Sequence, residues 1–167
     1  AHTDGKPYFF YYGSLNARKN IANLLRAYED FKNEHQTDHL MVLGGRKGWK
    51  TEEMMKVYRR HDHQQDIRFI GYLEDEHLSD WLGSATALTY VSKFEGFGLP
   101  VLEAMRSGVP VITSRKSSME EITGDHAFFV TPEYVDSIAN RMKFVIQEPE
   151  KVAQRVEAAH QKSHHYN

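Results

Sequence analysis

Ala87-Leu88-Thr89-Tyr90-Val91-Ser92-Lys93-Phe94-Glu95-Gly96-Phe97-Gly98-Leu99-Pro100-Val101-Leu102-Glu103-Ala104-Met105 is the stretch whose reading decides the fold. The apolar run Ala87 to Val91 reads as a buried strand. Pro100 suits the first turn of a helix, where its missing N–H costs nothing, and Gly108 suits the stop. The segment is therefore strand, glycine turn, short helix. Glu95 falls in the turn and Glu103 about one helical turn in, both at one end of a sheet. Backbone N–H groups of Phe97, Gly98 and Leu99 are expected to point outward there, where an anion would meet them. Two carboxylates beside such donors suit a ligand with both hydroxyls and phosphates, which points to a sugar nucleotide.

Working outward, strand-length apolar runs recur at Tyr8–Tyr12, Leu40–Gly44, Ile67–Ile70, Ala85–Val91, Val109–Thr113 and Ala127–Val130. Between them, Ile21, Leu24, Leu25, Tyr28 and Phe31 share one helical face, as do Ile138, Met142, Val145 and Ile146. Continuously apolar strands alternating with amphipathic helices predict an α/β fold, a Rossmann-like three-layer α/β/α arrangement. The expected sheet is doubly wound, six-stranded and parallel, in order 3-2-1-4-5-6, with residues 1–167 forming one domain. Strands 1 and 4 then become neighbours at the topological switch point, and ligands bind at their carboxyl ends. The loop Gly13-Ser14-Leu15-Asn16-Ala17-Arg18-Lys19-Asn20 comes to face Glu95 and its glycines, although some 80 residues separate them. Arg18 and Lys19 bring two cations to a helix N-terminus, where without an anion they oppose the dipole. They read either as a solvated basic pair at a helix start or as the contacts of a diphosphate, which would satisfy them.

Composition narrows the class. With 167 residues and a net charge of −2, the chain has no global field favouring nucleic acid or an anionic membrane. The absence of cysteine excludes disulfides and thiolate-bound zinc. No apolar run reaches the roughly 18 residues of a spanning helix, and the N-terminus carries no signal-like segment. The expected setting is cytoplasmic. Of the ten histidines, His61-Asp62-His63 and His164-His165 lack further ligands at metal-binding spacing, so no metal is expected.

A glutamate early in a helix, such as Glu103, serves the macrodipole, but its apolar Leu99-Pro100-Val101-Leu102 lead-in argues against full solvation. A carboxylate there can accept two vicinal ribose hydroxyls. The loop Gly44-Gly45-Arg46-Lys47-Gly48 reads equally as a plain turn or as a ligand loop; in the second case Gly45 and Lys47 are the contacts. A nicotinamide site needs Gly-x-Gly-x-x-Gly after strand 1 and an acid ending strand 2, and this chain has neither.

Taken in order, these segments resemble the C-terminal, donor-binding domain of GT-B retaining glycosyltransferases, the group 1 or family 4 type with an E-x7-E signature. The resemblance rests on Tyr11-Tyr12-Gly13-Ser14-Leu15 with Arg18-Lys19-Asn20, on Leu43-Gly44-Gly45-Arg46-Lys47-Gly48-Trp49, on Ile67-Arg68-Phe69-Ile70-Gly71-Tyr72-Leu73, on Glu95 to Glu103, and on Ser107-Gly108-Val109-Pro110-Val111-Ile112. It implies a hexosyltransferase, with Glu103 on the ribose and the backbone at Gly71 and Tyr72 near the base. Gly13, Ser14, Gly45 and Lys47 would border the donor. Glu95 would bind donor-sugar hydroxyls, and Gly96, Phe97, Gly98 and Leu99 would offer N–H groups. Arg18 and Lys19 would neutralise the diphosphate leaving group, in place of a divalent metal. With Glu95 they are the residues nearest the reaction. Ser14 departs from the pattern, in which arginine commonly follows that glycine. The implied substrate is a nucleotide sugar, GDP-mannose before a UDP-sugar, and the acceptor a glycan or lipid-linked glycan. The resemblance also implies an N-terminal acceptor domain outside this chain, with any membrane association peripheral and through that domain. Without it, the piece alone would transfer nothing. The reading of another class is a non-catalytic nucleotide-sugar-binding or interaction module on the same fold.

Overall fold

The computed structural model describes residues 3–95, 97–115 and 118–166. Its centre is a six-stranded parallel sheet formed by β1 (Tyr8–Tyr12), β2 (Leu40–Gly44), β3 (Ile67–Gly71), β4 (Ala87–Tyr90), β5 (Val111–Ser114) and β6 (Phe128–Val130), in the order β3-β2-β1-β4-β5-β6. This is the expected Rossmann-like topology. Five strands are buried almost throughout, and β3 at the edge is half-buried. An all-parallel sheet needs that cover, because its crossover helices must lie on both faces.

Among the described residues, seven helices supply it: α1 (Ile21–Glu34), α2 (Glu52–Arg59), α3 (Asp75–Gly83), α4 (Leu99–Arg106), α5 (Ser118–Thr123), α6 (Val135–Gln147) and α7 (Pro149–Ser163). Side chains alternate across a strand, so neighbours on β1 serve opposite faces. Phe9 meets Phe31 of α1 edge-on at 5.6 Å. Tyr8 and Phe10 meet Trp81 of α3 on the other side, at 5.3 and 6.2 Å between ring centroids. Helix α1 packs on α2 and α6, and α4 packs on α5 and α7, which completes the two outer layers. The expected face of α1 is buried, as are Ile138, Met142 and Val145 of α6; Ile146 is half-buried.

The decisive segment forms as its residues dictate. Pro100 lies in the first turn of α4, and the Leu102 N–H opens the helical ladder by donating to the Gly98 carbonyl at 3.1 Å. Gly108 takes φ +69°, the left-handed conformation that ends helices at low cost, and its N–H donates to the Met105 carbonyl at 3.2 Å.

Candidate functional site

The loops after β1 and β2 are joined by backbone hydrogen bonds that extend the sheet beyond its strands. Gly13 donates to Gly44 at 3.2 Å, Leu15 to Arg46 at 2.8 Å, Gly48 to Leu15 at 3.0 Å and Ala17 to Trp49 at 3.3 Å. Gly45 in turn donates to the Gly71 carbonyl at 2.7 Å, which draws in the end of β3. The approach is so close that a Cβ on Gly45 would stand 1.8 Å from the Gly13 carbonyl oxygen. That loop is therefore built against the strand 1 loop. Lys47 is exposed on it, bridged to Leu15.

The switch point closes in the same way. Lys93, beyond β4, donates its N–H to the Arg18 carbonyl at 3.1 Å. Asn20 occupies a left-handed conformation, φ 64°, between a short turn at Ala17–Lys19 and α1. Its side-chain amide donates to the carbonyls of Val91 at 3.0 Å and Pro132 at 2.8 Å. One side chain thus fixes the β1 loop to the ends of β4 and β6.

Held there, Lys19 is buried at 7% exposure, and its Nζ lies 2.5 Å from Glu95 Oε2 and 3.0 Å from the Tyr90 hydroxyl. Glu95 is equally buried. Tyr11 stacks on Tyr90 at 5.7 Å and donates its hydroxyl to the Ser14 carbonyl at 2.8 Å. Burial, reinforced by the Glu95 charge, raises the Tyr90 phenol well above the usual 10, so it stays protonated. Arg18 is exposed on the rim, together with Arg46, Lys47 and Lys93.

Glu103 sits on the other face. It is the fifth residue of α4, about one helical turn in as expected, and half-buried. Its Oε2 accepts a 2.9 Å hydrogen bond from Tyr12. Burial, then the Glu103 charge, keeps the Tyr12 phenol far above its ordinary pKa, so the proton stays on the tyrosine. Beside it a cavity of about 390 Å³ is lined by Tyr12, Gly13, Ser14, Gly45, Arg46 and Tyr72, with Leu73, Asp75 and Leu78 behind. The Arg46 guanidinium lies over the Tyr72 ring at 4.8 Å. A larger cavity of about 620 Å³ lies against Tyr8, Ile70, His77 and Trp81, away from the glycine loops; neither glutamate lines either cavity, and the smaller one adjoins Glu103 only through Tyr12.

The N–H of Leu99 does not point outward as expected: it donates to the Phe97 carbonyl at 3.1 Å, because the turn before α4 closes on itself. Gly98 is buried against Met119, and Phe97 is exposed. Gly96 lies outside the described residues. Gly71 and Tyr72 are exposed, and Tyr72 lines the smaller cavity. His61 is committed to packing: one ring nitrogen bonds the Leu25 carbonyl at 2.8 Å and the other accepts the His63 N–H at 3.0 Å. Sequence reasoning missed Tyr12, Tyr90 and Asn20. The signal for the first was present in two consecutive tyrosines ending an apolar strand beside Gly13.

The sequence model of the family described as glycosyl transferases group 1 matches residues 1–162. Among curated proteins, the chain is 38% identical over 132 residues to O-antigen chain mannosyltransferase B of Escherichia coli, covering 79% of this chain and 35% of that protein. It is 28% identical over 160 residues to a glycogen synthase of Mycobacterium tuberculosis, covering 95% of this chain and 38% of the relative. The chain thus spans little more than a third of these relatives. Among solved structures, Anabaena HepE in complex with UDP-glucose superposes with a TM-score of 0.87 at 19% identity, over 98% of this chain and 45% of that one. The C-terminal domain of the Francisella tularensis group 1 protein LpcC superposes with a TM-score of 0.84 at 21% identity, over 97% and 86% respectively. At those identities the likeness is one of fold. Among the described residues, no helix is long and apolar enough to cross a membrane.

Proposed function

The chain belongs to the group 1 glycosyl transferases, and from that premise we propose that it is the donor-binding part of a retaining enzyme that moves a hexose from a nucleotide diphosphosugar to a glycan or lipid-linked acceptor. The observation that carries the reading is the placement of Lys19–Glu95 and Tyr12–Glu103 at the adjoining carboxyl ends of β1 and β4, flanked by the joined glycine loops. Ligands of such sheets bind in that crevice.

Each part has work there. Glu103 accepts the ribose diol, and the cavity beside Tyr12 receives the base. Arg18 and Lys19 stabilise the charge that develops on the departing diphosphate. Glu95, turned toward Lys19, binds donor-sugar hydroxyls. GDP-mannose is the first donor we propose, supported by the similarity to the E. coli mannosyltransferase, with a UDP-sugar second. An N-terminal domain outside this chain supplies the acceptor site, and the chain alone transfers no sugar.

Calorimetric titration with GDP, UDP, ADP and their sugars tests the binding role. Absence of binding up to millimolar concentration by a folded chain overturns it. In the full-length protein, Glu103→Ala is expected to lower kcat/KM by about a hundredfold, roughly 3 kcal/mol. Unchanged activity would leave only a binding module.

A further inference from the structure

We propose that Tyr12 is a positioning residue for Glu103: its hydroxyl fixes one carboxylate oxygen so that the other meets a vicinal diol, while its ring forms the adjoining wall of the base cavity. This rests on the reading of Glu103 as the ribose contact. The two residues are 91 positions apart in sequence and meet across the switch point at 2.9 Å. Tyr12 lines the 390 Å³ cavity, so one side chain touches both the carboxylate and the space beside it.

The hydroxyl is held by rigid elements. Tyr12 is the last residue of β1, in register with Gly44 of β2. Its ring stacks on Phe10 at 5.5 Å, and Phe10 stacks on Trp81 at 6.2 Å. A glutamate at a rim has three side-chain torsions to settle before it can chelate two hydroxyls; a donor on a packed strand settles them in advance. An ionised carboxylate offers about four acceptor positions. Tyr12 uses one and a diol needs two, so the acceptor count allows both at once. With its proton retained, the phenol donates throughout the physiological pH range.

The test is the ratio of affinities for a ribonucleotide and its 2′-deoxy counterpart, GDP against 2′-deoxy-GDP and UDP against 2′-deoxy-UDP, measured calorimetrically on the full chain. Tyr12→Phe keeps the ring and its stacking. It is expected to weaken ribonucleotide binding about tenfold, to leave the deoxy form nearly unchanged, and so to collapse the wild-type preference. Pyrophosphate affinity should not move, which reports intact phosphate loops. An equal loss on both nucleotides, or no loss, overturns the inference. Glu103→Gln separates the two levels. If that variant and the wild type show the same ribose preference, the reading of Glu103 itself fails. If Glu103→Gln abolishes the preference while Tyr12→Phe retains it, only the role of Tyr12 is refuted.

Discussion

Removing Lys19 or Glu95 singly should be costly, while removing both together should cost little. The pair is 2.5 Å apart with each partner 7% exposed. Breaking a buried pair leaves an uncompensated charge, at about 3–5 kcal/mol, whereas apolar residues of similar volume in place of both are often neutral or stabilising. Lys19→Met leaves Glu95 buried without its cation, with the neutral Tyr90 hydroxyl beside it in place of the ammonium that stood 3.0 Å from that hydroxyl. We expect a loss of about 3 kcal/mol or more. Glu95→Leu strands the ammonium with that hydroxyl alone and should cost a similar amount. The double variant Lys19→Met/Glu95→Leu should return to within about 1 kcal/mol of the parent. Urea unfolding followed by Trp49 and Trp81 fluorescence provides the assay, with ΔG compared only where m is unchanged. The coupling energy from the cycle should be about 3 kcal/mol or more. A coupling near zero, or single losses below about 1 kcal/mol as for exposed pairs, would refute the picture of a desolvated pair. A double variant that is stable yet binds no nucleotide diphosphate would show that the charges serve binding rather than folding.

Gly45→Ala should destabilise by more than the roughly 1–3 kcal/mol of backbone strain, because φ is +123° and the new Cβ meets the Gly13 carbonyl at 1.8 Å; Gly83→Ala, with no atom within 4 Å of the added Cβ, should stabilise by about 0.5–1 kcal/mol in the same urea assay. Asn20→Ala should cost about 1–3 kcal/mol through the orphaned Val91 carbonyl, and Asn20→Gly should recover only the left-handed strain, so a loss under half a kcal/mol for alanine contradicts the clamp. His39 has its pKa lowered from 6.5 by burial and then by Lys32, so the folded chain binds its proton less readily than the unfolded one. Its contribution to stability is complete above pH 6.5 and is lost as pH falls below that value; His39→Gln should flatten that part of the profile, and an unchanged slope rejects the assignment.

The fold was legible because its determinants are local and repeated. Five of the six strands are rich in apolar residues and buried almost throughout, and their alternation with helical faces leaves a covered parallel sheet as the solution. Strand order followed from that class, and the facing of the β1 and β4 loops followed from the order. Pro100 and Gly108 bounded α4 to within two residues. What stayed hidden was the partner of each charged group. Lys19 and Glu95 are 76 positions apart, and nothing in their surroundings says that one cation turns inward while its neighbour Arg18 stays on the surface. Next to them Asn20 anchors the loop, its amide donating to the carbonyls of Val91 and Pro132 just beyond β4 and β6. The Leu99 N–H was misread because a turn closing on itself is set by dihedral angles that a glycine-rich sequence leaves open.

The spacing of Glu95 and Glu103 acquires its sense from the sheet. Glu95 lies in the turn after β4, on the side of Tyr90 and Tyr11, which is the α1 face. By Glu103 the chain has entered α4, which covers the opposite face, and there it meets Tyr12. Tyr11 and Tyr12 are adjacent, and strand alternation alone sends one ring to each carboxylate's side. Two acidic groups eight positions apart in sequence thus become two separate stations astride the sheet's end, each with a protonated tyrosine nearby and with the glycine loops between them. A ligand with one polyhydroxyl part would need only one such station. One carrying hydroxyls at both ends of a diphosphate would need both; Lys19 stands at the Glu95 station, and Arg18 is exposed beside it in the loop after β1.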